Sequence, residues 1–233
     1  MSRNDSLKKL REATPLILPS MLLCDFANLE TEIRRLEAAG FQALHLDIMD
    51  GVFVPNFTYG MTIVRAVRDC TDLIVDAHLM MVNPEQYVDQ FVEAGADVVT
   101  FHAEATDQPG ELLKKIRDLD AVAGVAINPK TEVSRIEDCL EFADMVLAMT
   151  VKPGFGAQAF DESVLPKLEK LREMAGSDLL LQVDGGVNSS TINKVHQSGA
   201  NMFVVGSAIF RTEDYEATRN GLRSQMGEIN ERI

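Results

Sequence analysis

The sequence predicts an α/β chain folded as a single (β/α)₈ TIM barrel over residues 1–233, and three observations carry that expectation. Apolar, strand-like runs alternate with helix-like segments at a spacing of about 25–30 residues, that of a repeated βαβ unit. Three helix-to-strand joins share one design: Ala39-Gly40-Phe41, Ala94-Gly95-Ala96-Asp97 and Ser198-Gly199-Ala200-Asn201. Each has Gly where a helix ends in a left-handed cap and a strand follows at once. Polar residues also recur at the C-terminal ends of several strands, where a parallel barrel gathers its functional side chains. An open doubly wound sheet is the alternative. Eight units that fill the chain without a linker or low-complexity segment favour the closed barrel.

Taken in order, the first strand is the apolar run Leu16–Leu23, followed by a helix over Ala27–Ala39 with Leu29, Ile33 and Leu36 at helical spacing and Gly40 as its stop. Strand two is Phe41–Asp47 and helix two Met61–Cys70. Strand three is Leu73–Leu79, and helix three runs from Pro84, suited to a first turn, to Ala94. Strand four, Asp97–His102, precedes a helix over Pro109–Leu119. Strand five, Val122–Asn128, precedes a helix over Val133–Phe142. Strand six, Met145–Thr150, is followed by helix Ser163–Ala175, and strand seven, Leu179–Val183, by a short helix Ser190–Gln197. Strand eight, Met202–Val205, leads to a final helix over Asp214–Arg232.

Composition narrows the function. A hydrophobic fraction of 46% and a charged fraction of 25% are those of a soluble globular protein. A formal net charge of -14 lacks the basic footprint of a nucleic-acid or anionic-membrane partner, yet leaves room for a small anionic substrate held by local donors. Cys24, Cys70 and Cys139 form no CxxC pattern and are odd in number, so each is expected to be a reduced thiol acting as a small apolar residue. The polar N-terminus, Met1–Glu12, suits neither a secretory signal nor a transit peptide, and no run reaches the roughly 20 apolar residues of a membrane span. The expected location is cytoplasmic.

The strand ends hold Ser20; His45 and Asp47; Asp76 and His78; His102 with Glu104; Asn128; Met149-Thr150; Asp184; and Gly206-Ser207. His45 and Asp47 lie two apart on one strand and so project from one face. Alone, that pair reads equally as a metal or acid/base site and as a buried hydrogen-bonded pair. A barrel mouth would bring it together with His78 and Asp184, giving two imidazoles and two carboxylates from three strands, a set suited to Zn²⁺, Fe²⁺ or Mn²⁺. His196, on a helix, is expected to be partly exposed and without a role. Glycines form a second constellation: Gly154-Phe155-Gly156, Asp184-Gly185-Gly186 and Gly206-Ser207 follow the last three strands, where barrels bind phosphate through backbone N–H groups. Met49, Met80 and Met149 lie just beyond strand ends, either as an apolar lining of the site or as rim packing.

With these residues assembled, the chain resembles the ribulose-phosphate 3-epimerase family over nearly its whole length. The resemblance rests on Pro19-Ser20 with Asp25-Phe26, His45-Leu46-Asp47-Ile48-Met49-Asp50-Gly51 with Phe53-Val54-Pro55-Asn56, and His78-Leu79-Met80. It continues through His102-Ala103-Glu104, Asn128-Pro129, Met149-Thr150-Val151 with Pro153-Gly154-Phe155-Gly156, Asp184-Gly185-Gly186, and Gly206-Ser207. It implies a ribulose-phosphate-binding barrel that interconverts D-ribulose 5-phosphate and D-xylulose 5-phosphate through an enediolate, in the pentose phosphate pathway. By the same implication His45, Asp47, His78 and Asp184 hold one divalent metal ion per subunit (Zn²⁺, Fe²⁺, Mn²⁺ or Co²⁺), and Asp47 and Asp184 are the two acid/base groups. Ser20 and His78 then contact substrate, as do Gly154, Phe155, Gly156, Ala157, Asp184, Gly185, Gly186, Gly206 and Ser207. The expected assembly is a homo-oligomer, dimer or hexamer. One departure is visible: the family's usual second glycine after Phe-Gly is Ala157 here.

Three rival functions are discriminated by residues. A D-allulose 6-phosphate 3-epimerase is expected to carry Asp-Gly-Ser in place of Asp184-Gly185-Gly186. A barrel decarboxylase of the orotidine-monophosphate type would place lysine where Asp47 stands. A non-catalytic sugar-phosphate-binding barrel would not need the complete set of acid/base and ligand candidates.

Overall fold

The structure, a computed structural model, describes residues 1–156 and 158–227. Its elements in chain order are α1 (Arg3–Ala13), β1 (Leu16–Pro19), α2 (Leu29–Ala38), β2 (Ala43–Met49), α3 (Met61–Cys70), β3 (Ile74–Met80), α4 (Val88–Glu93) and β4 (Val98–His102). These are followed by α5 (Pro109–Asp118), β5 (Val122–Ile127), β6 (Met145–Met149), α6 (Leu165–Ala175), β7 (Leu180–Asp184), α7 (Ile192–Gln197), β8 (Met202–Val205), α8 (Ser207–Phe210) and α9 (Tyr215–Gln225). All eight strands pair in parallel in the order β1-β8-β7-β6-β5-β4-β3-β2. A single parallel bridge between Ser20 and His45 joins β1 to β2, so the barrel is nearly closed.

Strand alternation divides the core in two. Leu44, Leu46 and Ile48 of β2 and Val75, Ala77 and Leu79 of β3 pack outward into the layer shared with the helices. The alternate set from the strand starts, including Leu16, Ala43, Ile74, Val98, Val122, Met145, Leu180 and Met202, forms a separate cluster inside the barrel floor. Both faces of each strand are therefore buried, which is why the strands read as near-continuous apolar runs.

Helix α1 closes that floor. Leu7 and Leu10 join the interior cluster, the Ser2 side chain caps the helix by accepting from the Asp5 N–H, and the Arg3 side chain donates to Asp144 at 2.8 Å. Only Ser6, Leu7 and Leu10 of its residues are buried, a pattern too sparse to be read as a helix from the polar N-terminal sequence.

Several elements differ from expectation. The apolar run Leu16–Leu23 is a strand only to Pro19; Met21–Leu23 is a 3₁₀ turn, apolar because Met21 is fully buried. Pro84–Gln86 forms a 3₁₀ turn and only Val88–Glu93 is α-helical. Between β5 and β6 the expected helix is two 3₁₀ segments, Val133–Arg135 and Glu137–Phe142, in which Ile136 and Cys139 close i→i+3 bonds. His196 is not partly exposed but buried: its Nδ1 lies 3.1 Å from the Ala200 carbonyl and its ring meets Phe203 edge-on. The last expected helix holds over Tyr215–Gln225, and its continuation past residue 227 lies outside the described residues. All three cysteines are free, with Cys24 and Cys139 buried in the outer core. Among the described residues no helix is long and apolar enough to cross a membrane.

Candidate active site

Inside the barrel, above its apolar floor, strand alternation replaces hydrocarbon with polar groups. His45 and Asp47 lie in register with Asp76 and His78 of β3, and Asp184 ends β7 beside Met149 of β6. One ligand atom from each of His45, Asp47, His78 and Asp184 lies within 4.8 Å of every other. Asp47 Oδ1 is 3.5 Å from His45 Nε2 and 3.4 Å from His78 Nδ1, and Asp184 Oδ2 is 3.8 Å from the same His78 nitrogen. The histidines are fully buried, whereas the Asp184 side chain is 15% exposed and opens toward the mouth.

His45 and Asp47 are oriented from behind. His45 Nδ1 and Gln182 Nε2 both lie 2.8 Å from Asp76 Oδ2, so a His45 proton on Nδ1 leaves the Nε2 lone pair aimed into the cluster. The Ser20 hydroxyl donates to Asp47 Oδ2 at 2.6 Å, leaving Oδ1 for the cluster. Asp76 thus orients His45, a task that its place at a strand end did not by itself reveal in the sequence. The signal was present, because Asp76-Ala77-His78 repeats the two-residue alternation of His45-Leu46-Asp47.

The arrangement fits a divalent cation. Of the buried side-chain atoms without a hydrogen-bond partner, two are His45 Nε2 and His78 Nδ1, the nitrogens that face the carboxylates. Buried nitrogens left so are costly unless something takes their lone pairs. Electrostatics agree. Burial, with the charge of Asp47 beside it, pushes the Asp184 carboxyl up to about 7. Burial would likewise raise Asp47, but the charge and hydrogen bonds of His45 and His78 outweigh it and hold that carboxyl well below the usual range. Burial opposes the charged form of His45, yet Asp76 and Asp47 together raise it well above an ordinary imidazole. Burial lowers His78 to about 4. The cluster is short of positive charge: a cation held by these residues would lower the cost of the second carboxylate.

Above the cluster lies a cavity of about 250 Å³, lined by Ser20, Asp47, Asp184, the three methionines Met49, Met80 and Met149, and the glycine loops. Gly154, Phe155, Gly156, Gly185, Gly186, Gly206 and Ser207 all line it; Ala157 lies outside the described residues. The methionines are 1–5% exposed, so they wall the site rather than decorate the rim. At two glycines the backbone leaves no choice of residue. A Cβ on Gly185 (φ +115°) would sit 2.4 Å from the Val151 side chain, and one on Gly186 (φ +66°) 2.7 Å from the Phe160 backbone nitrogen. The loops also grip one another: Asn56 Nδ2 donates to the Gly154 carbonyl at 2.8 Å, and Gln158 Nε2 donates to the Lys152 and Phe155 carbonyls at 2.7 Å each. Asp50, the turn residue after β2, accepts from the N–H groups of Val52, Phe53 and Val82, binding the β2 and β3 loops together. Arg211, which the sequence reading did not single out, reaches the same cavity.

Comparison with known proteins gives a consistent result. The model of the ribulose-phosphate 3 epimerase family matches residues 16–210. Ribulose-phosphate 3-epimerase of Bacillus subtilis is 44% identical over 211 residues, covering 89% of this chain and 97% of that one. The chloroplastic ribulose-5-phosphate-3-epimerase of Arabidopsis thaliana is 44% identical over 214 residues, 90% of this chain and 76% of that one. Among solved structures, 3-keto-L-gulonate-6-phosphate decarboxylase from Vibrio cholerae matches with a TM-score of 0.71 at 16% identity, covering 91% of this chain and 97% of that one. 3-Hexulose-6-phosphate synthase matches with a TM-score of 0.67 at 24% identity, covering 91% and 99%. At such identities these structures speak to the shared barrel alone.

Proposed function

The chain belongs to the ribulose-phosphate 3-epimerase family and is an isomerase, and from that premise we propose that it inverts C3 of D-ribulose 5-phosphate to give D-xylulose 5-phosphate by a two-base reaction. The observation that carries the proposal is the pairing of Asp47 and Asp184. Two carboxylates reach one buried cluster from strands that are not neighbours, and their surroundings drive their protonation apart. Inversion beside a ketone requires one group that removes a proton and another that returns one to the opposite face. Asp47, ionised and fixed by Ser20, is suited to begin as base; Asp184, the more proton-retentive partner, is suited to begin as acid. In the reverse direction the roles exchange.

His45, Asp47, His78 and Asp184 are the residues that would hold a divalent cation, Zn²⁺, Fe²⁺, Mn²⁺ or Co²⁺. Such a cation supplies Lewis acidity, stabilising the negative charge that develops on the substrate's oxygens. Met49, Met80 and Met149 exclude water from that region, and the loops of Gly154 to Ala157, Gly185-Gly186 and Gly206-Ser207 receive the phosphate. Gly186 also speaks to substrate choice. A D-allulose 6-phosphate enzyme is expected to carry serine there, so the glycine supports the pentulose.

We further infer one barrel domain over residues 1–233, acting in the cytoplasm in pentose phosphate metabolism as a homo-oligomer. Exposed apolar side chains beside the mouth, Val52 at 72% and Phe57 at 76%, support assembly.

The deciding experiment follows deuterium incorporation from D₂O at C3 of D-ribulose 5-phosphate, with and without chelator. Incorporation at C3 that stops on chelation and returns with added divalent ion is expected. Exchange at another carbon, or exchange indifferent to thorough metal removal, would refute the scheme.

A further inference from the structure

His78 is held by a polar chain that runs away from the cavity. Its Nε2 lies 2.9 Å from His102 Nε2, with both rings fully buried and inclined by 25°. His102 Nδ1 in turn faces Glu104 Oε2 at 3.4 Å. The other Glu104 oxygen is already engaged: Oε1 accepts from the Asn128 N–H at 2.8 Å and from the Thr131 hydroxyl. Phe53 packs over His102 at a centroid distance of 4.8 Å and seals this side from solvent.

Two ring nitrogens at hydrogen-bond distance must share one proton, and its owner sets both tautomers. If His102 donates, His78 carries its proton on Nδ1, pointing into the His/Asp cluster. The bare His102 Nδ1 then faces a buried carboxylate, lone pair against lone pair. If His78 donates, His102 carries its proton on Nδ1, directed at Glu104, and the lone pair left against carboxylates is that of His78 Nδ1, facing Asp47 and Asp184 where a cation held by the cluster would take it up. Burial opposes ionisation of Glu104, but the neighbouring His102 ring and hydrogen bonds from Thr131 and Asn128 outweigh it and hold the carboxyl at about 2.

We propose that Glu104 and His102 are positioning residues that lock His78 as its Nε2–H tautomer and so present the His78 Nδ1 lone pair to the divalent cation. This rests on the metal reading above, and adds to it a direction of hydrogen bonding that runs from His78 through His102 to Glu104. Outer partners of this kind fix ring orientation and raise ligand basicity.

Two measurements test it. In Zn²⁺-loaded protein with ¹⁵N-labelled histidine, long-range ¹H–¹⁵N correlations should show His102 protonated at Nδ1 and bare at Nε2, with His78 protonated at Nε2. His102 found protonated at Nε2, or at both nitrogens, overturns the proposal without any variant having to fold. The second measurement uses Glu104→Gln. The Asn128 N–H and Thr131 hydroxyl keep the amide oxygen, so the amide NH₂ turns to His102 Nδ1 and reverses the chain of donors. Zn²⁺ affinity by chelator competition should fall roughly 10–100-fold, and the Co²⁺ absorption spectrum should change, while the metal-free protein melts near the wild-type temperature. Unchanged affinity and spectrum overturn the proposal, as does a lowered melting temperature with affinity per folded molecule intact. His45→Gln separates the two levels: if it leaves metal affinity intact, the metal reading falls and this inference with it. If it abolishes binding while Glu104→Gln leaves the affinity unchanged, only this inference falls.

Discussion

At the scale of single residues, Asp47 and Asp184 show how one pocket makes unlike groups from like ones. Asp47 accepts a hydrogen bond from Ser20 and lies between two imidazoles, whereas Asp184 has burial and a neighbouring carboxylate against it. Asp47→Asn and Asp184→Asn should each reduce kcat by about a thousandfold or more, the order expected when a general acid or base is lost from a proton-transfer step, with circular dichroism unchanged; near-wild-type turnover in either variant contradicts the two-base scheme. The same asymmetry has a cost in stability. The Asp184 carboxyl titrates at about 7 in the folded protein, against about 3.9 when unfolded. Between those values the native state binds the extra proton, so its stability falls as pH rises from about 4 to about 7 and levels off beyond. In chelator, Asp184→Asn should therefore melt above wild type at pH 8, by an amount on the order of 4 kcal/mol at 1.36 kcal/mol per pH unit, and the gap should close toward pH 4. A gap that stays constant across that range would show that Asp184 does not bear the penalty. A residue kept in spite of such a penalty is one held for function.

At the scale of elements, the two ends of the barrel divide stability from chemistry. Leu10 of α1 is 1% exposed and seals the floor with Leu7 and the strand starts. Leu10→Ala should cost about 2–5 kcal/mol, read as a lower melting temperature, while KM and metal affinity of the folded protein stay the same. A change in KM would mean that floor and mouth are coupled. Elements also explain which features could be read beforehand. The eight strands were legible because both faces are buried, and the cluster His45, Asp47, His78 and Asp184 was legible because polar residues interrupt those apolar runs at a period of two. Helix α1 was not, since its three buried residues sit among eight others that are mostly charged or polar. The 3₁₀ pair between β5 and β6 has helical periodicity over a span that admits no full α-turn ladder, and periodicity alone does not separate the two. His196 looked polar and idle; a carbonyl four residues on and an aromatic edge, both tertiary facts, account for its burial. The roles of Asp76, His102 and Glu104 depend on which nitrogen meets which oxygen across three strands, and spacing along the chain carries no such information.

At the scale of the whole molecule, an anionic substrate must approach a chain of formal net charge -14. In the proposed reading the glycine loops supply neutral donors to the phosphate, and such donors attract only at close range. Arg211 stands out in this setting. It lines the cavity just beyond α8, is exposed, and its guanidinium has no ion-pair or hydrogen-bond partner among the described residues. An arginine on such an acidic surface would ordinarily find a carboxylate; one left free at the mouth is available to a phosphate dianion. Its contribution is bounded by exposure, since an ion pair in water is worth about 1 kcal/mol or less, which is about fivefold in affinity. Arg211→Gln should accordingly raise KM for D-ribulose 5-phosphate by up to about fivefold at low ionic strength with kcat little changed, and Arg211→Lys should recover most of the loss. Screening shortens the reach of the charge to about 3 Å at 1 M salt, so the difference between wild type and Arg211→Gln should shrink as salt is added. Initial rates across a salt series check this directly: a difference that resists salt, or a loss confined to kcat, would mean that Arg211 acts on the loops and not on the charge of the substrate.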